Sequence, residues 1–229
     1  MKRWTRRQFV AMALKPGYEL LRLDLQSDQI DTKLWPDAQR PILPGSLVKP
    51  FTALAYGTKF PKVVCKGCRP GAVHGEVDLV EAIAQSCNRY FEELSLRVRH
   101  EQACLVASNY GLPAPPDSVD ARVGLGRQWR VEPAQLVRAY ARLVSNREDP
   151  TVKLLLEGMK RCGRRGTASV LEGRALAKTG TAPCEHLKHM PGDGLAVALW
   201  PVESPRTVGL VREHGVPGAV AAKRLRQWL

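Results

Sequence analysis

The sequence contains no apolar run long enough to cross a membrane, and it is short of acidic and aromatic residues. A membrane-spanning helix needs about 20 predominantly apolar residues, so none is expected. Internal repeats and low-complexity tracts are also missing. The composition of 44% hydrophobic and 25% charged residues over a length of 229 is that of a folded chain with a sizeable core. We expect one domain over residues 17–229.

The deficit of acidic residues gives the chain a strong positive charge. The sequence has 35 Lys and Arg against 22 Asp and Glu, which is a net charge of +13. Such a surplus suits a polyanionic partner, and nucleic acid is the first candidate. Aromatic residues make up only 6% of the chain, and they are not interleaved with the basic residues as in nucleic-acid-binding modules. We therefore expect no nucleic-acid partner.

What the sequence does contain is three short motifs in a definite order. They are Ser46-Leu47-Val48-Lys49, Ser86-Cys87-Asn88 and Lys178-Thr179-Gly180-Thr181. The patterns S-x-x-K, S-x-N and K-T-G-T are those of acyl-serine enzymes that attack penicillin-like and D-alanyl substrates. Each motif alone occurs by chance in many proteins, whereas all three in this order are specific.

The first motif has the spacing that its chemistry needs. Pro44-Gly45 predicts a turn before a helix, and residues three apart on a helix lie on one face. Ser46 is therefore expected to place its hydroxyl beside the amine of Lys49. A lysine can act as a base only when its pKa falls towards neutrality, through burial and a nearby positive charge. Lys178 would supply that charge.

The other two motifs are expected to complete the same site. Ser86 and Asn88 follow a short buried helix and would project from its terminal turn, with Cys87 pointing away. Lys178 and the threonines on both sides of Gly180 end a predicted strand, where they could hold a carboxylate by charge and hydroxyl hydrogen bonds. Gly180 would let a substrate backbone lie close to that strand.

Further stretches of the chain make the resemblance more specific. The sequence resembles the transpeptidase domain of class B penicillin-binding proteins, which cross-link peptidoglycan, from about Tyr18 to the C-terminus. The shared stretches outside the motif cores are Leu43–Ser46 with Lys49-Pro50, His74–Leu79 leading into Ser86–Phe91, Gly124–Arg127 followed by Glu132–Leu136, and Gly166–Ala168.

The resemblance implies a function for each motif residue. Ser46 would be the nucleophile, Lys49 its base and Ser86 a relay hydroxyl, with the backbone amides of Ser46 and Thr181 forming an oxyanion hole. Asn88 would bind the donor amide, and Lys178, Thr179 and Thr181 its terminal carboxylate, with no cofactor required for catalysis. The implied ligands are peptidoglycan stem peptides and β-lactams. Implied partners are a glycosyltransferase or other envelope proteins, and the implied location is the outer side of the cytoplasmic membrane.

Several activities share this pattern. A serine β-lactamase or a penicillin-sensing domain would differ in how fast the acyl-enzyme is hydrolysed, and a D,D-carboxypeptidase would differ in its acceptor. A non-catalytic envelope binding module of the same fold is the alternative from another class. The intact motifs argue against that module, whereas the compact segment between Asn88 and Lys178 argues for it.

Six cysteines form a separate pattern. Cys65 and Cys68 make a C-x-x-C knuckle, His74 follows it, and Cys87 lies inside the second motif. Together these four residues could form a closed tetrahedral zinc site. A disulfide between Cys65 and Cys68, or plain thiols, are the competing interpretations. The other cysteines, Cys104, Cys162 and Cys184, are expected to be buried or incidental.

The N-terminal segment, residues 1–16, is basic. Thr5–Val10 resembles a twin-arginine export motif. The apolar stretch after it, Phe9–Leu14, is short of the roughly 7–15 residues that an export signal needs. We therefore interpret it as a degenerate signal, or alternatively as a basic amphipathic helix.

The hydrophobic periodicity predicts an α+β fold. The expected fold is a five-stranded antiparallel sheet with helices on both faces, β-lactamase/transpeptidase-like. The predicted strands are Tyr18–Leu25, Thr32–Trp35, Arg174–Thr181, Gly194–Trp200 and Thr207–Arg212. The predicted helices are Ser46–Gly57, Val77–Gln85, Asn88–Arg99, Glu101–Tyr110, Pro133–Asn146, Thr151–Arg161 and Gly218–Leu229.

Overall fold

A computed structural model describes residues 17–69, 71–184 and 192–229. The basic segment 1–16, with its interpretation as a degenerate export signal, lies outside the described residues. Among the described helices, none combines the length and the apolar character that a membrane crossing requires.

The main sheet of the described chain is antiparallel, with strands β1 (Tyr18–Asp24), β2 (Ile30–Asp31), β5 (Leu176–Ala182), β6 (Asp193–Trp200) and β7 (Thr207–His214). Their order in the sheet is β2-β1-β7-β6-β5. β6 is buried on both faces because alternate side chains enter different clusters: Leu195 and Val197 join one core, Ala196 and Ala198 the other. β5 is an edge strand, paired with β6 in the register Lys178↔Val197.

Helices cover both faces of this sheet, as the sequence predicts. The α-helices of the described chain are α1 (Lys49–Tyr56), α2 (Leu79–Gln85), α3 (Asn88–Ser95), α4 (His100–Asn109), α5 (Val119–Val123), α6 (Pro133–Ser145), α7 (Pro150–Arg165) and α8 (Gly218–Ala221). The larger core lies between the sheet and the helices of the central part of the chain. The smaller core holds the other face against the C-terminal segment, through Ala221, Ala222 and Leu225. The α+β prediction is confirmed.

Several element boundaries differ from the sequence prediction: the predicted helix Asn88–Arg99 ends at Ser95, and the predicted helix Thr151–Arg161 is Pro150–Arg165. Two further differences have a local reason. The predicted strand Thr32–Trp35 is wrong: β2 is Ile30–Asp31, and Thr32–Trp35 form a turn in which the amide of Trp35 donates to the carbonyl of Thr32. The predicted helix Val77–Gln85 begins later, at Leu79. Asp78 caps this helix by accepting a hydrogen bond from the amide of Glu81.

One small sheet and one short helix were not predicted from the sequence. Strands β3 (Val63–Cys65) and β4 (Gly75–Val77) form a separate two-stranded sheet, which is too short to show a periodic pattern. Helix α5 has only five residues and depends on its cap, in which the Ser118 hydroxyl accepts from the amide of Ala121.

The predicted C-terminal helix Gly218–Leu229 is not continuous. It consists of α8 followed by the 3₁₀ turns Ala222–Arg224 and Arg226–Trp228. Leu225 is nevertheless fully buried in the smaller core, and Trp228 packs against that core. The apolar residues therefore reach the sheet as expected, although the backbone between them is tighter than an α-helix.

Candidate active site

The three motifs, far apart in sequence, line one cleft of about 310 Å³. The motif residues in its wall are Ser46, Ser86, Asn88, Thr179, Gly180 and Thr181. Lys49 and Lys178 lie behind this wall and are fully buried. The cleft follows β5, whose second edge carries no strand in the described part of the chain. An open strand edge offers backbone groups to an extended peptide.

Ser46 lies in a short 3₁₀ helix, Gly45–Val48, that leads directly into α1. The predicted single helix Ser46–Gly57 is therefore two pieces, and Pro50 falls in the first turn of α1, where its missing N–H is tolerated. The nucleophile candidate itself is nearly buried, with 8% of its surface exposed.

Glycines bring β5 and the Ser46 turn into direct backbone contact. A Cβ on Gly180 would stand 3.1 Å from the amide nitrogen of Ser46, which is tighter than an ordinary contact. Gly180 therefore makes a close contact that the sequence did not predict, since its α-carbon faces the Ser46 turn. The close approach of a substrate backbone to Gly180 stays a prediction. Gly124 packs against the same turn, because a Cβ there would stand 2.0 Å from the carbonyl oxygen of Gly45.

The amine of Lys49 is held by the second motif. Nζ donates to the carbonyl oxygen of Ser86 at 3.0 Å and to Oδ1 of Asn88 at 2.6 Å. Among the described residues, no hydrogen bond joins this amine to the hydroxyl of Ser46, which differs from the expected pairing. Burial, and next the positive charge of Lys178, place the pKa of Lys49 well below its usual value.

Lys178 joins the third motif to the second. Its amine donates to Oγ of Ser86 at 2.8 Å and to the carbonyl oxygen of Thr179 at 2.7 Å. Burial lowers the pKa of Lys178 to about 8. Ser86 ends α2 in the left-handed conformation, with φ of 55°. A non-glycine residue adopts this conformation only where its surroundings hold it, and here it directs carbonyl and hydroxyl towards two different lysines.

The two threonines of the third motif have different neighbours. The hydroxyl of Thr179 lies 2.6 Å from that of Thr167, which follows α7. Thr181 is exposed, and its hydroxyl accepts from the backbone amide of Gly218 at 3.1 Å. Both hydroxyls are thus oriented by neighbouring elements along the wall of the cleft.

Other residues complete the cleft. Leu125 and Thr167 belong to the stretches Gly124–Arg127 and Gly166–Ala168, so the resemblance had already marked their neighbourhood. Arg69 also lines the cleft, and its charge contributes to lowering the pKa values of Lys49 and Lys178. Arg69 carries no sequence signal, because only the fold brings the knuckle beside the second motif.

The cysteine knuckle lies next to this cleft. The ligand atoms of Cys65, Cys68, His74 and Cys87 all lie within 4.8 Å of one another. Nδ1 of His74 is 3.4 Å from Sγ of Cys65 and 3.6 Å from Sγ of Cys68. In a tetrahedral zinc site these atoms would stand about 3.5 Å apart. Three thiols and one imidazole are also a donor set that zinc prefers, so these residues fit the ion.

The environment of the knuckle differs between its thiols. Burial raises the pKa of Cys87 to about 12. Burial also acts upward on the pKa of Cys65, but hydrogen bonds, first from the backbone of His74 and Gly67, outweigh it and leave the pKa below its usual value. All six cysteines are free thiols in the structure, Cys65 and Cys68 included.

The remaining cysteines match their expectation only in part. Cys162 is buried, and its sulfur lies 3.3 Å from the hydroxyl of Thr167. Cys104 and Cys184 are partly buried. Sγ of Cys104 lies 3.5 Å from Nε2 of His100, and both residues are on α4.

Solved structures resemble this chain, whereas no protein-family profile and no curated protein matches it. Penicillin-binding protein 2 of Pseudomonas aeruginosa is 18% identical with a TM-score of 0.73, and the match covers 97% of this chain and 74% of that one. The transpeptidase domain of Burkholderia pseudomallei penicillin-binding protein 3 is 18% identical with a TM-score of 0.68, and the match covers 92% of this chain and 88% of that one. Helicobacter pylori penicillin-binding protein 2, solved in complex with MreC, is 17% identical with a TM-score of 0.73. This match covers 97% of this chain and 61% of that one. The chain has the fold of class B penicillin-binding protein transpeptidase domains, as the motifs predict.

Proposed function

We propose that this protein is an acyl-serine D,D-transpeptidase that cross-links peptidoglycan stem peptides through Ser46. One observation carries the proposal: the serine, asparagine and threonine side chains of three separate motifs line one cleft, above two buried lysines. Burial of two lysine amines does not stabilise the fold, because each amine loses its hydration. Their arrangement is understandable when one must lose its proton and the other must attract an anion.

In the proposed first step Ser46 attacks the carbonyl carbon of the peptide bond between two D-alanines. The hydroxyl proton passes to Lys49, whose lowered pKa gives it a neutral fraction that an exposed lysine lacks. The carbonyl oxygen takes the negative charge and is held by the backbone amides of Ser46 and Thr181. The close packing of Gly180 on the Ser46 turn supports this assignment, because it brings the two segments that donate these amides together.

The tetrahedral intermediate then collapses and the carbon–nitrogen bond breaks. The leaving amine of the terminal D-alanine takes a proton from the hydroxyl of Ser86, which recovers one from Lys178, its donor at 2.8 Å. What remains is an ester between Ser46 and the donor peptide. The amine of a second stem peptide attacks this ester and gives up one proton, which passes through Ser86 back to Lys178. Lys49 returns its proton to the Ser46 oxygen as the ester bond breaks, so the new amide forms and both lysines regain their starting states.

Substrate recognition is assigned to the third motif and Asn88. The terminal carboxylate of the donor would accept hydrogen bonds from the hydroxyls of Thr179 and Thr181, with Lys178 supplying charge. The amide group of Asn88 lies in the cleft wall, where it would bind the donor amide. The amide oxygen of Asn88 also accepts from Lys49, so substrate binding and the base are linked.

Carboxylate recognition is expected to weaken at alkaline pH. Lys178 loses its charge as pH rises through about 8, so the second-order rate constant for acylation by a penicillin should fall towards tenfold per pH unit above that value. Acylation rates between pH 6 and 10, measured by stopped-flow fluorescence, provide the profile.

The control for this pH dependence is a penicillin whose carboxylate is esterified. This compound lacks the anion that Lys178 would bind, so its slower acylation should decline less steeply at alkaline pH, because only the proton transfer from Lys178 to Ser86 is lost. An equal decline for both compounds would contradict a carboxylate-binding role for Lys178.

Cys65, Cys68, His74 and Cys87 are proposed to hold a structural zinc ion. The ion would fix the knuckle, and the knuckle contacts the active site directly, because the carbonyl oxygen of Cys68 accepts from Nδ2 of Asn88 at 3.4 Å. Asn88 in turn accepts from Lys49. Zinc is thus expected to orient the second motif without taking part in the reaction.

Removal of zinc should lower the stability of the protein. A ligand present at a thousandfold above its Kd stabilises the fold by about 4 kcal/mol, which corresponds to roughly 10 °C in Tm for a chain of this length. Thermal unfolding with and without a chelator, with elemental analysis of the purified protein, measures this. A zinc-free protein with Cys65 and Cys68 joined, shown by the mass of the linked peptide, would favour the disulfide instead.

The proposal is tested with a fluorescent penicillin and native protein, followed on a denaturing gel over hours. A transpeptidase should hold the label as a slowly hydrolysed ester, whereas a β-lactamase would lose it while drug is consumed. A D,D-carboxypeptidase would also be labelled, but it would release D-alanine from a synthetic stem peptide without using an added acceptor amine. A folded protein that takes no label would be the non-catalytic binding module.

The proposed setting is the outer side of the cytoplasmic membrane, with an envelope protein or glycosyltransferase as partner. Two similar structures support an envelope partner: one is a complex of penicillin-binding protein 2 with MreC, and another concerns a peptidoglycan synthase complex that coordinates polymerization and crosslinking. The positive charge of the chain is compatible with anionic lipid headgroups or wall polymers nearby.

A further inference from the structure

A second group of metal-ligating side chains lies at the end of the main sheet. Ligand atoms of Cys184, Asp193 and His214 all lie within 4.8 Å of one another. Nδ1 of His214 is 2.9 Å from Oδ1 of Asp193. Neither the proposed acyl transfer nor the cysteine knuckle uses these residues.

The strand register explains why the three side chains meet. Asp193 is directly opposite His214 in the β6–β7 pairing and opposite Ala182 in the β5–β6 pairing. Directly opposed residues of antiparallel strands place their side chains on one face, about 5 Å apart. Cys184 is two residues beyond Ala182. The sheet itself therefore fixes the aspartate and the histidine, and the continuation of β5 brings the thiol to them.

We propose that Cys184, Asp193 and His214 form a zinc site, the β5–β6 site, that joins the end of β5 to β6 and β7. Sulfur, nitrogen and carboxylate oxygen together are a donor set for this borderline ion, and magnesium or calcium would select oxygen ligands only. On binding, the Cys184 thiol releases its proton to solvent and coordinates as the thiolate. Three protein ligands leave a fourth position for water.

The accessibility and charge around the group are compatible with an ion. The Asp193 side chain is only 9% exposed, whereas that of His214 is 36% exposed, and Cys184 is partly buried. Small rotations of the partly exposed His214 and Cys184 side chains would bring these ligand atoms, which lie within 4.8 Å of one another, to the roughly 3.5 Å spacing of a zinc shell. Glu19 adds negative charge, with Oε2 4.0 Å from Nε2 of His214. The nearby cation Arg212 already forms an ion pair with Glu19.

The site would stabilise the strand that carries the third motif. β5 contains Lys178 and Thr181, and it has a neighbouring strand on one side only in the described chain. Coordination of Cys184 would anchor this strand just after the last residue of β5. The proposal does not depend on acyl-serine chemistry, because it concerns metal binding alone.

Metal stoichiometry tests the site. Metal-stripped full-length protein is loaded with Zn²⁺, desalted and measured by elemental analysis, alongside Cys184→Ser and the control Cys104→Ser, which alters a partly buried cysteine elsewhere. We expect Cys184→Ser to bind one equivalent less than wild type and Cys104→Ser to bind the same as wild type. This difference is independent of what the cysteine knuckle binds. Equal zinc content in wild type and Cys184→Ser would overturn the proposal.

A second measurement localises the ion even if a variant is poorly folded. Wild-type protein is alkylated with and without Zn²⁺, and the peptide that contains Cys184 is quantified by mass spectrometry. Coordination should slow its alkylation by about tenfold or more, since a metal-bound thiolate is unavailable to the reagent. His214→Ala should lose this protection while the knuckle peptides keep theirs. Alkylation of wild-type Cys184 at the same rate with and without Zn²⁺ would overturn the assignment.

Discussion

Replacement of Ser46 by alanine is expected to abolish covalent labelling by penicillin, with the acylation rate falling by at least about 10⁴-fold. Without the hydroxyl no ester can form, and water cannot take its place as a nucleophile that keeps the label on the protein. The measurement is time-resolved labelling with a fluorescent penicillin, followed by mass spectrometry of the intact protein.

The variant should remain folded, which makes the loss interpretable. Ser46 is 8% exposed, and its hydroxyl is not part of any hydrogen bond recorded between described residues, so removing one oxygen should change Tm by only a few degrees. Ser108→Ala is the matched control, because Ser108 is exposed on α4 and away from the cleft. Labelling of Ser46→Ala at the wild-type rate would place the nucleophile elsewhere and contradict the mechanism.

The sequence was informative where a local pattern carries the chemistry. The three motifs predicted which side chains would converge, because S-x-x-K, S-x-N and K-T-G-T each encode spacing within a single element. The interior strand β6 could be predicted for a similar reason: its uninterrupted apolar run, Leu195–Leu199, is typical of a strand buried on both faces.

Properties that depend on contacts between distant segments could not be predicted in the same way. The partner of the Lys49 amine is set by the left-handed conformation of Ser86, which no periodicity encodes. The place of Arg69 in the cleft depends on how the β3–β4 hairpin docks. The contact of Gly180 with the Ser46 turn could not be predicted either, because that turn lies more than a hundred residues earlier in the chain.

The second large effect is expected for Lys49→Met, which should slow acylation by about 10²–10⁴-fold. Methionine keeps the length of the side chain and removes the amine that would accept the Ser46 proton. The measurement is the acylation rate across pH, with Lys153→Met as control, because Lys153 is an exposed lysine on α7 that pairs with Glu148.

The pH profile separates a base from a residue that only supports the fold. The carbonyl of Ser86 and the amide oxygen of Asn88 would lose a donor in Lys49→Met, at a cost of about 1–3 kcal/mol for each unsatisfied group, and Tm should fall accordingly. A structural role alone would lower the rate equally at every pH. If Lys49 is the base, wild-type acylation rises as its amine deprotonates, and this rise is absent from the variant. A Lys49→Met profile parallel to that of wild type would assign the proton transfer to another group, and the 2.8 Å contact between Lys178 and Ser86 identifies the next candidate.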